Sequence, residues 1–297
     1  MLVIEFKDSH IGEAFYHQLK QSLAVTERSN DDLIHIHFKE KETLTTLSIE
    51  GVNSLRREEQ QAIISVLTNV TIIHFFPKWL KQFLKEMFYY EDEQEIQAII
   101  QTAKSLFFSS GGEEDRRFTM TFLQWQQDIF HKLAPFVEKN ISFSFDSFLF
   151  FRLKPSREKL LSLAEVAIDE YKLELEYQLM LDRCRDFLKR QSPRVHTVYV
   201  FLKNGIEFYD SDMEKISVQQ IYEWLETGTP FERNLPVNER MIGPLVSMAP
   251  KRIFIDSAYC DDDLYHTLKN IFEERLFTSS MTFGQKQLSV KKSSFLS

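Results

Sequence analysis

The scarcity of chain breakers constrains this sequence more than any other feature. Only 8 glycines and 8 prolines interrupt 297 residues. These residues end helices and shape tight turns, so a chain so poor in them runs in long elements joined by few loops. Phenylalanine, at 27 residues, supplies the bulk to fill a core. The combination favours long, well-packed helices over a loop-rich sandwich. The length exceeds one small core and predicts two domains, burying roughly three quarters of the unfolded surface.

Periodicity places the elements. Leu2–Phe6 reads as a short strand, and a helix follows at Ser9–Leu23, with Asp8 or Ser9 as its cap. Leu33–Phe38 and Leu44–Ile49 alternate and predict an antiparallel pair. Asn53 or Ser54 opens a helical tract to about Tyr90, which Pro77 is expected to break or kink. Helices are predicted near Asp92–Phe107 and Asp115–Phe130, with Ser109–Asp115 as a surface loop between them. Five phenylalanines crowd Phe143–Phe151, where an extended first half and a helical second half both fit. From Pro155-Ser156 the strongest helix of the chain runs to about Gln191. Its apolar stripe is Leu160, Ala164, Ala167, Tyr171, Leu175 and Leu179, widened by residues such as Leu163, Leu173 and Cys184. At about 1.5 Å per residue it would reach roughly 50 Å, so it is expected to bend or to join both halves.

After Ser192-Pro193 the period shortens. Val195–Lys203 and Ile206–Asp210 read as strands joined by a two-residue turn at Asn204-Gly205, since this pair accepts the positive φ angles of a type I′ hairpin. Helices at Val218–Glu226 and Val237–Met248, separated by the Pro230 and Pro236 region, precede a strand at Arg252–Ile255. Asp261 or Asp262 caps a last helix, and Arg275–Ser279 is a final strand. The expected fold is thus mixed α/β of the α+β kind. A helix-rich N-terminal half with a small sheet occupies 1–142. The long helix and a ββααβα mixed-sheet unit, closed by the strand at Arg275–Ser279, occupy 143–284. A disordered tail takes 285–297.

Several segments are similar to the YtxC-like family of sporulation proteins from spore-forming bacteria. They are Phe148-Leu149-Phe150-Phe151-Arg152-Leu153-Lys154, Ala167–Glu174, Leu245–Ile253 and Leu268-Lys269-Asn270-Ile271-Phe272. The resemblance spans roughly Phe148 to Phe277; the N-terminal half follows only in length and order of elements. It implies a role in sporulation and carries no reaction, ligand or catalytic residue.

The candidate sites each have a plainer reading beside them. His35 and His37, two apart on a strand, point to one face, and His10, His17 or His74 would add a third metal ligand; exposure on an edge strand explains the pair equally. Asp210 and Asp256 lie at strand ends, where carboxylates can hold a divalent ion for hydrolysis; turn and strand-end roles suffice for both. Lys78, Lys81 and Lys85 share one face of a helix whose other face carries Trp79, Leu80, Phe83 and Leu84, a pattern common to partner-binding and ordinary amphipathic helices. Arg152 and Lys154 follow the aromatic cluster and suit an anionic partner, or simply end an apolar segment. The acids and lysine at Glu165, Asp169, Lys172 and Glu176 read as a solvated helix face. Cys184 sits within a helix with no histidine nearby in sequence to activate it.

A net charge of −8 opposes an extended phosphate-binding surface. Two distant cysteines form no zinc spacing and fit a reducing compartment. The N-terminus lacks a signal-peptide pattern, and the longest apolar run, Ala62–Phe76, is interrupted by polar residues. The expectation is a cytoplasmic, non-enzymatic interaction or regulatory protein with a protein partner and no cofactor. A metal-assisted hydrolase or nuclease using Asp210 and Asp256 is the alternative.

Overall fold

Leu2, Ile4 and Phe6 alternate with polar neighbours and form β1 (Leu2–Phe6), with all three side chains buried. A computed structural model describes residues 1–26, 35–41, 44–50, 55–109, 121–202, 205–226, 241–256 and 260–279. The expected loop at 110–115, the turn residue Asn204, the Pro230–Pro236 region and the tail 285–297 lie outside these residues. So do the helix-start candidates Asn53 and Ser54.

In α1 (Ser9–Thr26), Ile11, Phe15 and Leu19 recur at helical spacing and join the β1 side chains in one core. Asp8 Oδ1 accepts the His10 amide at 3.1 Å, the capping role expected of it. Gly12 permits close packing, because a Cβ there would lie 2.9 Å from Thr45 Cγ2. The strands β2 (His35–Lys41) and β3 (Leu44–Glu50) pair antiparallel, β1 pairs antiparallel with β3, and the two-residue β4 (Phe143–Ser144) pairs parallel with β1. The order is β2-β3-β1-β4.

Three long helices complete this half: α2 (Arg57–Glu86), α3 (Glu93–Ser109) and α4 (Phe122–Glu138). Pro77 does not break α2. Ile73, whose carbonyl loses its partner to the proline, is exposed to water, while Phe76, Trp79 and Leu80 are buried around the site. Phe76 stacks on Phe107 of α3 at 5.8 Å and meets Trp125 of α4 edge-on at 5.7 Å. By length and composition α2 could also cross a membrane, but most of its apolar stretch is buried in this core. The fourth helix starts and ends later than the expected Asp115–Phe130. Thr121 and Gln124 form a capping box, with Thr121 Oγ1 accepting the Gln124 amide at 3.2 Å and Gln124 Oε1 accepting the Thr121 amide at 2.9 Å. It then continues through Pro135 because Leu133 and Val137 are anchored in the core.

The phenylalanine-rich segment forms β4, one turn α5 (Phe145–Ser147) and a π-helical turn, Phe148–Arg152. It leads to α6 (Lys154–Glu158) and α7 (Leu160–Arg190). Lys159 thus interrupts what periodicity reads as one helix from Pro155. Within α7, Leu160, Ala164 and Ala167 are buried, but Leu173, Leu175 and Leu179 are exposed; buried positions resume at Leu181, Cys184 and Leu188. The two compact units accordingly divide at Lys172/Leu173, inside α7, rather than ahead of Phe143. Phe145, Phe148, Leu149 and Leu153 are all members of the first unit's core.

The second unit follows the expected order. It comprises β5 (Thr197–Phe201), β6 (Glu207–Tyr209), α8 (Val218–Glu226), α9 (Ile242–Met248), β7 (Arg252–Asp256), α10 (Asp262–Phe272), a 3-10 turn at Glu273–Arg275 and β8 (Leu276–Ser279). Its sheet is ordered β6-β5-β7-β8, antiparallel at β6-β5 and parallel elsewhere. Asp261 caps α10, its Oδ1 accepting the Leu264 amide at 2.7 Å. The hairpin register departs from expectation. A two-residue turn at 204–205 would set Phe201 against Phe208, whereas Phe201 pairs with Glu207. Gly205, just ahead of β6, stands at φ +113°, a conformation that favours glycine.

Val198, Val200, Ile253 and Ile255 are fully buried on one face of this sheet, in a core with α9 and α10. The alternate residues form a row across all four strands, Tyr209, Tyr199, Phe254 and Phe277. Tyr199 stacks on Phe254 at 5.1 Å and Phe254 on Phe277 at 5.3 Å.

Candidate functional site: a cation-edged apolar cleft

Helix α4 ends two turns beyond its expected stop, and the extra turns build one wall of a cleft. Lys132, Pro135 and Phe136 of α4, Ile141 just after it, and Arg152 at the end of the π-helical turn enclose about 500 Å³. Phe136 is fixed from behind by Phe143 at 4.9 Å and by Phe148, edge-on, at 5.6 Å. A π-helical turn holds one residue more than an α-turn, which re-aims the side chains that follow it. Here it buries Phe148 and Leu149 and leaves Phe150 and Phe151 64% and 70% exposed. Their rings meet edge-to-face at 4.9 Å.

Beside the cleft lies a polar cluster that no sequence motif announced. Ser156 Oγ donates to Asp128 Oδ2 at 2.6 Å and accepts from Lys132 Nζ at 2.6 Å, and Lys132 Nζ lies 2.8 Å from the same Asp128 oxygen. Trp125 Nε1 donates to the Ser156 carbonyl at 2.9 Å. Burial pushes the Asp128 carboxyl up, but bonds from Lys132 and Ser156, with the charges of Lys132 and Lys159, outweigh it and hold the group below its ordinary range. A serine beside a lysine is a nucleophile–base arrangement when the lysine is neutral and the hydroxyl reachable. Neither condition is met, because Lys132 is held against a carboxylate and Ser156 is fully buried. The cluster clamps α6 to α4. Its only signal in the sequence was the Asp128–Lys132 spacing of four.

The expected partner-binding cations divide sharply. Lys81 and Lys85 both reach Glu93 at the start of α3, at 2.7 and 2.5 Å, and these bonds lower the Glu93 carboxyl to about 2. Lys78 sits 5.1 Å above the Phe75 ring and 3.8 Å from Asp8. Lys154 lies 3.8 Å from Glu158. The lysine row therefore ties elements of its own unit together. Arg152 has no hydrogen-bond or ion-pair partner among the described residues.

His35 and His37 are exposed on the edge strand β2, their rings 6.4 Å apart on one face. Among the described residues no group of three His, Cys, Asp or Glu side chains is placed to hold a metal ion. Asp210 Oδ1 accepts the amides of Asp212 and Glu214, each at 2.9 Å, as a turn residue does. Asp256 ends β7, in register with Ser279. Burial pushes the Cys184 thiol up to about 12, against the smaller downward pull of a backbone hydrogen bond and Arg185. It is a packing residue and not a nucleophile at neutral pH.

No solved structure matches this chain. An uncharacterized protein, YtxC of Bacillus subtilis (strain 168), is 24% identical over 283 residues, covering 93% of each chain. The profile of the YtxC-like family matches residues 61–277, reaching well ahead of Phe148 into α2. Most of the chain, from the core helix of the first unit to the last strand of the second, carries that family's pattern, and the chain belongs to the YtxC-like family.

Proposed function

We propose that this chain is a non-enzymatic interaction protein of the sporulation programme, acting in the cytoplasm, and that a protein partner docks around Phe150, Phe151 and Arg152. One observation carries the reading. Two large aromatic side chains stand in water beside a guanidinium without a partner among the described residues and an apolar cleft of about 500 Å³. Aromatic residues and arginine are the side chains that most often dominate docking surfaces, because rings bury much area at little entropic cost and the guanidinium forms forked, charge-assisted hydrogen bonds. The sporulation setting comes from the family resemblance. The carboxylate-centred hydrolase reading draws no support from Asp210, whose oxygen is committed to two backbone amides.

The test is a chromosomal Phe150→Ala/Phe151→Ala replacement in the spore-forming host, with wild-type and variant chains used as baits in sporulating cells. Both side chains are exposed, so the thermal midpoint should stay within a few degrees. Spore yield should fall, and at least one captured protein should disappear from the variant. Wild-type spore yield together with an unchanged set of captured proteins would overturn the proposal.

A further inference from the structure

The geometry points to a partner segment of defined chemistry: an acidic stretch of protein that sets a carboxylate on Arg152 and an adjacent large apolar side chain against Pro135, Phe136 and Ile141. This rests on the interaction reading above and adds the identity of what is recognised. Charge complementarity is the main argument. Lys132 and Arg152 edge the cleft, and among the described residues Asp128 balances only the first, so one positive charge is left at this edge of a chain of net charge −8. Arg152 presents a planar fork suited to a carboxylate. Lys132 is pinned by Asp128 and Ser156, so it contributes a fixed positive edge and not a mobile one.

The shape argues for a protein segment over the alternatives. A site for a small carboxylate would enclose most of its ligand. This cleft is rimmed by exposed apolar surface, with Ile141 45% exposed and Phe150 and Phe151 in the same turn as Arg152. Such a rim accepts side chains from a larger body and shields the central ion pair from water. A nucleic-acid strand would need several free cations along a track. Lys81, Lys85 and Lys132 are held by Glu93 and Asp128.

The test is selection of displayed random peptides of about 12 residues against the full chain, repeated on Arg152→Glu and Arg152→Gln, with melting curves of all three proteins as folding controls. Wild type should enrich Asp or Glu next to Leu, Ile or Phe. The best peptide should bind Arg152→Glu about tenfold more weakly, with Arg152→Gln in between, and selection on Arg152→Glu should favour Lys or Arg at the acidic position. No enriched family, a motif without an acid, or a motif unchanged by Arg152→Glu would each overturn the inference. So would octanoate displacing the peptide at equal affinity, marking a small-carboxylate site, or a labelled oligonucleotide binding in its place. If the Phe150→Ala/Phe151→Ala chain loses its captured partner while peptide selection is blind to Arg152, docking stands and the acidic chemistry falls. If neither changes, both fall.

Discussion

Ser156 shows how much one buried hydroxyl can organise. It donates a hydrogen bond to Asp128, accepts one from Lys132, and holds Trp125 through its carbonyl. Ser156→Ala removes both side-chain bonds but leaves the direct Lys132–Asp128 pair. The expected loss is therefore about 1–2 kcal/mol, read from denaturant midpoints. Asp128 should also make stability depend on pH. Its folded carboxyl is depressed, so the stabilisation is present above the unfolded value, about 3.9, and is lost as pH falls through the folded one. The stability gap between wild type and Asp128→Asn should be constant near neutral pH and shrink below about pH 4; a gap that widens in acid would contradict the assignment. Cys184, with its thiol pushed up to about 12, should resist iodoacetamide in the native chain and react once it is unfolded, as mass spectrometry would show.

At the scale of elements, the local rules held at several caps and short alternating strands. Asp8, Asp261 and the alternation of β1 and β3 are examples. They failed where a local penalty was outweighed by packing. Pro77 and Pro135 both lie inside helices because buried neighbours on either side hold the helix in place. Pro77→Ala should restore the amide that Ile73 lacks and stabilise the chain by about 1–2 kcal/mol, partly offset by the looser unfolded state. Thr121→Ala removes the cap that fixes where α4 begins and should cost about 1 kcal/mol by thermal melting. Ala249 adopts φ 48° after α9, a conformation usually left to glycine, and no periodicity marks such a position. The hairpin was legible as a hairpin, but its register, with Phe201 against Glu207, was not set by the Asn-Gly pair.

At the scale of the whole molecule, the first core and the second share no residue. Trp79 and Trp125 belong to the first, and Trp224 packs against the second. Ile253→Ala should weaken the second unit by about 2–4 kcal/mol, lowering the transition reported by Trp224 while that of Trp125 stays in place. A single coincident transition in both would show that the units unfold as one. Much of this organisation was readable from residue order alone: the helix-rich character, the antiparallel strands and the ββααβαβ sequence of the second unit. These follow from backbone preferences and short-range periodicity, which a few consecutive residues carry. Tertiary structure alone decided where α7 changes its burial, which lysines are spent on Glu93, and that Asp128, Lys132 and Ser156 meet. It also decided that Arg152 stands at the edge of a cleft with no partner among the described residues. Those outcomes depend on how side chains of different elements are brought together, and no local pattern encodes the energies of such contacts.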